Sequence, residues 1–157
     1  MRRSTAFLLV AAGFLSMAAT CETDLIEDAG FQLWCGDRLC VWELEEGEIR
    51  KVATWHSNDY GVELVGAPVS LSSPAARSAS SVRIEVVSDV ERGAMVTVEI
   101  DQEGDGVIDW VLPVPPSDGF VSRIWESQPG ADAGGVFYLR KSGPGRAVVA
   151  RLRVSRS

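Results

Sequence analysis

Four acidic residues crowd one short stretch of the chain and could bind a metal ion. They occupy positions 1, 3, 5 and 9 of a nine-residue segment: Asp101, Glu103, Asp105 and Asp109. Hard cations such as Ca²⁺ bind several oxygen ligands that converge on one point. Acids at alternate positions of a tight loop supply such oxygens, and Gly104 and Gly106 allow the turn. The segment is therefore a candidate for weak, millimolar-class calcium binding, and no other cofactor is expected.

The same segment also fits a polar hairpin that holds no metal. Calcium loops with this acid spacing carry a bidentate acid at position 12, and here that position is Leu112. The flanking residues have the alternation of strands, and Asp105-Gly106 is a hairpin turn signal. A hairpin closed by an Asp-Gly turn is the alternative to the calcium site.

Three aromatic side chains near turn signals are candidates for stacking on a ligand. Trp55, Tyr60 and Trp125 could offer exposed rings to the apolar faces of sugars. Trp42 and Trp110 fall on the apolar parity of their strands, which places them in the core. The alternative for the three candidates is ordinary packing in a small domain, since tryptophan is largely buried on average.

The residues for catalysis by a nucleophile do not form a recognisable set. His56 lies near Asp59, but no Gly-x-Ser-x-Gly elbow or oxyanion-hole signature accompanies them. A pair of carboxylates for glycoside hydrolysis remains an alternative, because the 22 acidic residues allow many pairs. A chain this short lacks insertions that would build a cleft around such a pair. We therefore predict that the protein is not an enzyme.

The cysteines predict one disulfide and one cysteine with another role. Cys35 and Cys40 flank a Gly-Asp turn signal, which fits a crosslink across a tight hairpin. The spacing is longer than that of a Cys-x-x-Cys redox motif. A zinc site needs four ligands, and the chain has only two spare cysteines and one histidine. A loop this small contributes about 2 kcal/mol through its disulfide, and Cys21 is left over.

The first 20 residues are predicted to be a signal peptide. Arg2 and Arg3 precede an apolar run over residues 6–15, and small residues follow, which is the order of a secretory signal. The run is too short to span a bilayer, which needs about 20 apolar residues.

Cys21 stands where bacterial lipoproteins carry their lipidated cysteine. Residues 18–21, Ala-Ala-Thr-Cys, resemble the lipobox of that family, although the family usually has Leu and then Gly or Ala where Ala18 and Thr20 stand. The resemblance implies an acyl anchor, such as palmitate, on Cys21. Glu22 replaces the Asp of the inner-membrane retention signal, which implies the outer membrane. The alternative is cleavage after Ala18 or Ala19 and a periplasmic or secreted protein.

The charge balance limits the partners. The chain has a net charge of −7, and loss of the signal would leave 13 basic and 22 acidic residues, a net charge of −9. An acidic surface argues against nucleic acid and anionic lipid. We expect membrane contact through the lipid anchor only.

Strands must position all of these side chains. Apolar and polar residues alternate with a period of two, typical of antiparallel strands with one buried face, in residues 82–86, 96–100, 108–114, 137–140 and 148–154. Turn signals between the segments favour a β-sandwich or barrel, and no long helix is predicted after residue 21. Residues 72–81, rich in Ser and Ala, are predicted to be a mobile loop. Residues 21–30 are predicted to be the lipidated cysteine and a short tether.

One family resemblance covers most of the chain after the signal. Residues 24–31, Asp-Leu-Ile-Glu-Asp-Ala-Gly-Phe, look like the first strand of carbohydrate-binding modules with a jelly-roll fold, with Asp28-Ala29-Gly30 in place of the usual Asn-Gly. Gly61-Val62-Glu63-Leu64, the paired strands over residues 81–100 and the closing strand over residues 147–154 follow in an order similar to galactose-binding-like domains. The resemblance implies one all-β domain over residues 31–157, an antiparallel jelly-roll β-sandwich of the galactose-binding-like type. It maps no sugar-binding residue onto this chain.

These observations predict a non-enzymatic cell-envelope lipoprotein with a recognition domain. The expected partner is carbohydrate or an envelope polymer. The alternative is a structural or assembly subunit that binds another envelope protein.

Overall fold

The computed structural model describes residues 24–56, 58–127 and 133–156, and their regular secondary structure is entirely β. The predicted signal peptide and Cys21 lie outside the described residues. None of the described residues forms a helix with the length and hydropathy that a bilayer span requires. The strands are β1 (Trp34–Cys35), β2 (Arg38–Leu39), β3 (Glu43–Ala53), β4 (Tyr60–Ser72), β5 (Ala76–Ala79), β6 (Val82–Val90), β7 (Met95–Asp101), β8 (Trp110–Val114), β9 (Val121–Glu126), β10 (Ala133–Ser142) and β11 (Ala147–Arg156).

The β3–β4 hairpin belongs to both sheets of a sandwich because it bends in the middle. Its register runs from Glu43 opposite Ser72 to Glu46 opposite Ser70, and resumes with Glu48 opposite Val65. Between these two paired positions β4 has four residues, 66–69, and β3 has only one. A mismatch of this kind bends a strand. That one residue is Gly47 at φ +88°, and a Cβ there would lie 2.5 Å from the Pro68 carbonyl oxygen.

Each half of this hairpin starts one sheet. The front sheet has the order β3-β4-β10-β7-β8, and the back sheet has the order β3-β4-β11-β6-β9. All pairings are antiparallel. The predicted fold class, an all-β antiparallel sandwich of the jelly-roll type, is confirmed. The Glu46-Gly47 and Gly66-Ala67-Pro68 turn signals mark the bend inside β3 and β4 instead of strand ends.

The core lies between the sheets and follows the alternation of the strands. In the front sheet Leu71, Leu139 and Val98 are cross-strand neighbours with inward, buried side chains. Burying one such side chain contributes about 1.5–3 kcal/mol. In β11 residues 148, 150, 152 and 154 are buried as predicted, but residues 147 and 149 before the bulge between Val149 and Arg151 are buried as well.

The segment before β1 closes one end of this core. Leu25 N donates to the Val154 carbonyl oxygen at 2.6 Å, and Leu152 N donates to the Ala29 carbonyl oxygen at 2.8 Å. Leu25, Ile26 and Phe31 are buried, and the Phe31 ring packs against Trp42 with centroids 5.1 Å apart. The described residues 24–30 therefore pack on the domain, unlike the expected tether, and they form turns, unlike the expected first strand.

The segment predicted to be a mobile loop is held against β10. β4 extends to Ser72, and β5 pairs with β10. Ser73 Oγ accepts from Phe137 N at 3.0 Å, and Ser73 N donates to the Phe137 carbonyl oxygen at 2.8 Å. Small side chains allow this segment to lie close to β10, so the Ser-Ala composition here marks a packed strand.

The predicted disulfide is confirmed between Cys35 and Cys40, whose Cα atoms are 5.1 Å apart. It closes the β1–β2 hairpin, in which Trp34 pairs with Leu39. Gly36 begins the two-residue turn at φ +72°, a conformation that a hairpin turn with glycine in first position uses.

Candidate binding sites

Two of the three predicted aromatic candidates lie near the tip of the β3–β4 hairpin. Trp55 is 50% exposed, and its ring packs against Phe120 with centroids 4.7 Å apart. Tyr60 is also exposed, but Lys51 Nζ lies 3.9 Å from its ring centroid. One face of Tyr60 is thereby occupied by a cation–π contact, and the Trp55 ring also packs against His56 with centroids 5.1 Å apart.

The third candidate, Trp125, lines a cleft at the opposite edges of the two sheets. Within the described part of the chain, β8 and β9 have a pairing partner on one side only. Trp110 from β8 and Trp125 from β9 face a common opening of about 570 Å³. Its other lining residues are Ile84, Leu112, Ile124, Glu126 and Ser127.

The register explains why both indoles reach this cleft. Trp125 pairs with Ile84, and Trp110 pairs with Ile100. Both partners are buried core residues, so both tryptophans point to the inner face of their sheets. Because each strand is the last of its sheet, the two indoles are only partly buried and pack against the rim of the core.

The chemistry of this cleft suits a ligand with an apolar face and hydroxyl groups. Its walls are mainly aromatic and aliphatic, and Glu126 adds a carboxylate that accepts hydrogen bonds. Ser127 Oγ accepts from Val82 N at 2.8 Å, and a hydroxyl can donate a hydrogen bond as well as accept one. Mostly apolar walls with a few polar groups, in a volume of this size, are typical of small-molecule sites.

Sequence reasoning missed half of this cleft. Parity predicts that Trp110 lies in the core, but it is only partly buried. No local signal distinguishes a tryptophan in a central strand from one in an edge strand. Among the described residues, no ring contact joins Trp55, Tyr60 and Trp125 to one another, so the three candidates do not form one aromatic surface.

The acidic segment forms the connection between β7 and β8. Asp101 is buried, and its carboxylate accepts from Gly104 N and Gly106 N, each at 2.7 Å. Asp109 Oδ2 accepts from Gln102 N at 2.8 Å. Within the described residues, no group of three or more acids, histidines or cysteines is arranged to hold a metal ion. Calcium binding by Asp101, Glu103, Asp105 and Asp109 stays a prediction.

Comparison with known proteins establishes the fold. No protein-family model and no curated protein sequence matches this chain. A structure of TmCBM61 in complex with β-1,4-galactotriose superposes with a TM-score of 0.60 at 10% identity, over 86% of this chain and 99% of that one. A family 6 carbohydrate-binding module superposes with a TM-score of 0.54 at 15% identity, over 73% of this chain and 87% of that one.

A third similar structure is the enzymatically active domain of tailspike protein 4 from bacteriophage CBA120. Its TM-score is 0.60 at 12% identity, over 85% of this chain, which spans 21% of that one. At these identities the likeness defines the chain as a jelly-roll β-sandwich of the architecture seen in carbohydrate-binding modules.

Proposed function

We propose that this protein is an exported, non-enzymatic lipoprotein that binds carbohydrate in the cleft between Trp110 and Trp125. The observation that carries the proposal is the pair of indoles on facing edge strands with Glu126 and Ser127 beside them. Two aromatic walls cover the apolar faces of a sugar ring, while a carboxylate and a hydroxyl bind its hydroxyl groups. The carbohydrate-binding modules with a similar fold support the same function.

The estimated binding energy of the two indoles corresponds to weak binding of a single sugar, which many copies on one membrane would strengthen. Removing about 50 Å² of apolar surface from water contributes about 1 kcal/mol, so two indole contacts give a few kcal/mol before the cost of association. An acyl anchor on Cys21 would concentrate many copies on one membrane and multiply such weak contacts. Outer-membrane attachment through Cys21 is the part of the proposal that rests on the signal alone.

The test is a glycan array probed with the exported chain carrying Cys21→Ser, which removes the site of acylation. We expect binding to neutral glycans and at least tenfold weaker binding in Trp125→Ala. Trp125→Leu keeps apolar volume in the cleft and should lose binding without unfolding, which near-ultraviolet circular dichroism checks. Trp55→Ala, an indole removed elsewhere on the surface, should bind as the parent does.

Two results would contradict this site. Full binding by a folded Trp125→Leu variant would exclude the cleft. Loss of binding in Trp55→Ala alone would move the ligand to the Trp55–Phe120 pair.

A second function, docking of another envelope protein, is favoured by the edges of the sandwich. Val111, Val121 and Ile124 are 56%, 40% and 45% exposed on β8 and β9. Unpaired strands with apolar side chains accept an added strand from a partner. Crosslinking in the envelope should then give one specific product that Val111→Lys and Ile124→Lys abolish, with no glycan bound on the array.

A further inference from the structure

A second concave surface lies on the outer face of the front sheet, away from the Trp110–Trp125 cleft. It is a groove of about 700 Å³, referred to below as the front groove. The register sets Ser70, Arg140 and Thr97 side by side across β4, β10 and β7. Their neighbours Leu71, Leu139 and Val98 point into the core, so these three side chains point outward. Glu45, Glu46, Glu99, Met95 and Lys141 also line the groove.

Two polar atoms at the floor of the front groove form no hydrogen bond with the described residues. Ser70 is 7% exposed, and its buried hydroxyl has no partner among the described residues. Arg140 Nη1 pairs with Glu99 Oε2 at 2.8 Å, but its buried Nε has no hydrogen-bond partner in the described part of the chain. Buried polar atoms are nearly always hydrogen-bonded, and the hydroxyl groups of a ligand in this groove could satisfy these two atoms.

The front groove also has an excess of negative charge. Arg140 is paired with Glu99, which leaves Glu45 and Glu46 without an ion-pair partner among the described residues. Lys141 also lines the groove, but its ammonium donates to the carbonyl oxygens of Gly66 and Gly143 and forms no ion pair with Glu45 or Glu46. Burial raises the pKa of the Tyr138 hydroxyl, and the nearby carboxylates of Glu45 and Asp101 raise it further.

We propose that the front groove is a second saccharide-binding site and that it selects sugars with a free amino group. The protonated amine would bind at Glu45 and Glu46, two carboxylates that form no ion pair within the described residues. The sugar hydroxyls would pair with the Ser70 hydroxyl, Thr97 and Arg140 Nε. The same charges disfavour glycans built from uronic acids, because like charges at short distance repel. This site uses no residue of the Trp110–Trp125 cleft.

Isothermal titration calorimetry with glucosamine hexamer at pH 6 tests the proposal on the Cys21→Ser chain. The matched ligand is N-acetylglucosamine hexamer, which has the same length and no free amine. We expect the free amine to bind at least tenfold more tightly, with affinity that falls as salt rises. The double variant Glu45→Gln and Glu46→Gln should lose at least tenfold in affinity. Glu48→Gln, the same change beyond the bend of β3, should retain it.

The outcomes separate this groove from the cleft. Trp125→Leu should bind glucosamine hexamer as the parent does, and its failure to do so would place the amino sugar in the cleft and overturn the proposal. Equal binding of the acetylated hexamer, or full binding by the double variant, would also overturn it. Tetralysine that binds as tightly as the hexamer would show a site for basic peptides instead of saccharides.

Discussion

Asp28 illustrates how one residue supports the segment that closes the core. Its carboxylate accepts from Gln32 N at 2.7 Å and from Leu33 N at 3.1 Å, and its carbonyl oxygen accepts from Trp42 Nε1 at 3.3 Å. Its φ is +52°, a conformation that Asp and Asn adopt more readily than most residues. Burial nevertheless raises the pKa of the Asp28 carboxyl, although the two amides act in the opposite direction.

The raised pKa predicts a pH-dependent effect of Asp28→Asn. A carboxyl whose pKa is higher in the folded state contributes stability that is present at low pH and lost as pH rises through that folded pKa. The asparagine of the variant does not titrate. The free energy of unfolding of the variant minus that of the parent should therefore be more positive at pH 7 than at pH 3, which means that the variant is relatively more stable at pH 7. Urea unfolding at both pH values measures this, with exposed Asp118→Asn as the control. A larger relative gain at pH 3 would contradict the prediction.

The acidic connection between β7 and β8 allows a direct test of calcium. Asp101 already accepts backbone amides through both oxygens, which leaves fewer lone pairs for a cation and predicts weak binding. At a calcium concentration equal to the dissociation constant, the folded state gains about 0.4 kcal/mol. We therefore expect a small rise in Tm in millimolar calcium against chelator, absent in Asp105→Asn. An unchanged Tm in the parent would make this segment a polar turn only.

At the scale of elements, two glycine turns differ in what surrounds them. Gly143, between β10 and β11, has φ +79°, and a Cβ there would lie 2.1 Å from the Gly93 carbonyl oxygen. Gly104, between β7 and β8, has φ +70° and open space around the same position. A side chain at the first turn would therefore meet the backbone of a distant turn, whereas the second turn, whose amides bond the Asp101 carboxylate, has room for one.

This difference predicts unequal effects of the same substitution. Gly104→Ala should cost about 1–2 kcal/mol, the strain of an L-residue in the left-handed region. Gly143→Ala carries the same strain, and its Cβ also clashes with the backbone of Gly93. Relieving the clash would require the turns at Gly93 and Gly143 to move apart, so this substitution should cost more than about 3 kcal/mol. Urea unfolding compares the two variants. Equal losses of stability would show that the turn at Gly143 relaxes freely.

At the scale of the whole molecule, the proposed acyl anchor on Cys21 predicts where the domain resides. Cys21→Ser should move the protein from the membrane fraction to the soluble fraction, because the proposed acyl chains would provide the membrane affinity. Fractionation with mass spectrometry of the mature chain measures both location and acylation. Lipidation would be contradicted if the parent protein carried no acyl mass and appeared in the soluble fraction to the same extent as the Cys21→Ser variant.

The sequence by itself determined the strands and the covalent crosslink. Period-two alternation predicted β6, β7, β8, β10 and β11, because a strand with one buried face must alternate. The Cys35–Cys40 disulfide followed from spacing around Gly36-Asp37, a local geometry. Trp42 and the alternating apolar residues of β6, β7 and β10 lie in the core, as the sequence predicts. These features depend on near neighbours in the chain.

Only the tertiary structure decided which strands form edges and which residues meet. Trp110 and Trp125 share a cleft because β8 and β9 end different sheets, and Ser70 and Arg140 share a groove because β4 and β10 pair. The bend at Gly47, the bulge in β11 and the packing of residues 24–31 also depend on distant partners. Alternation reports that a face is buried, but not what buries it. Strand order and both candidate sites arise from contacts between residues far apart in the chain, which local patterns do not encode.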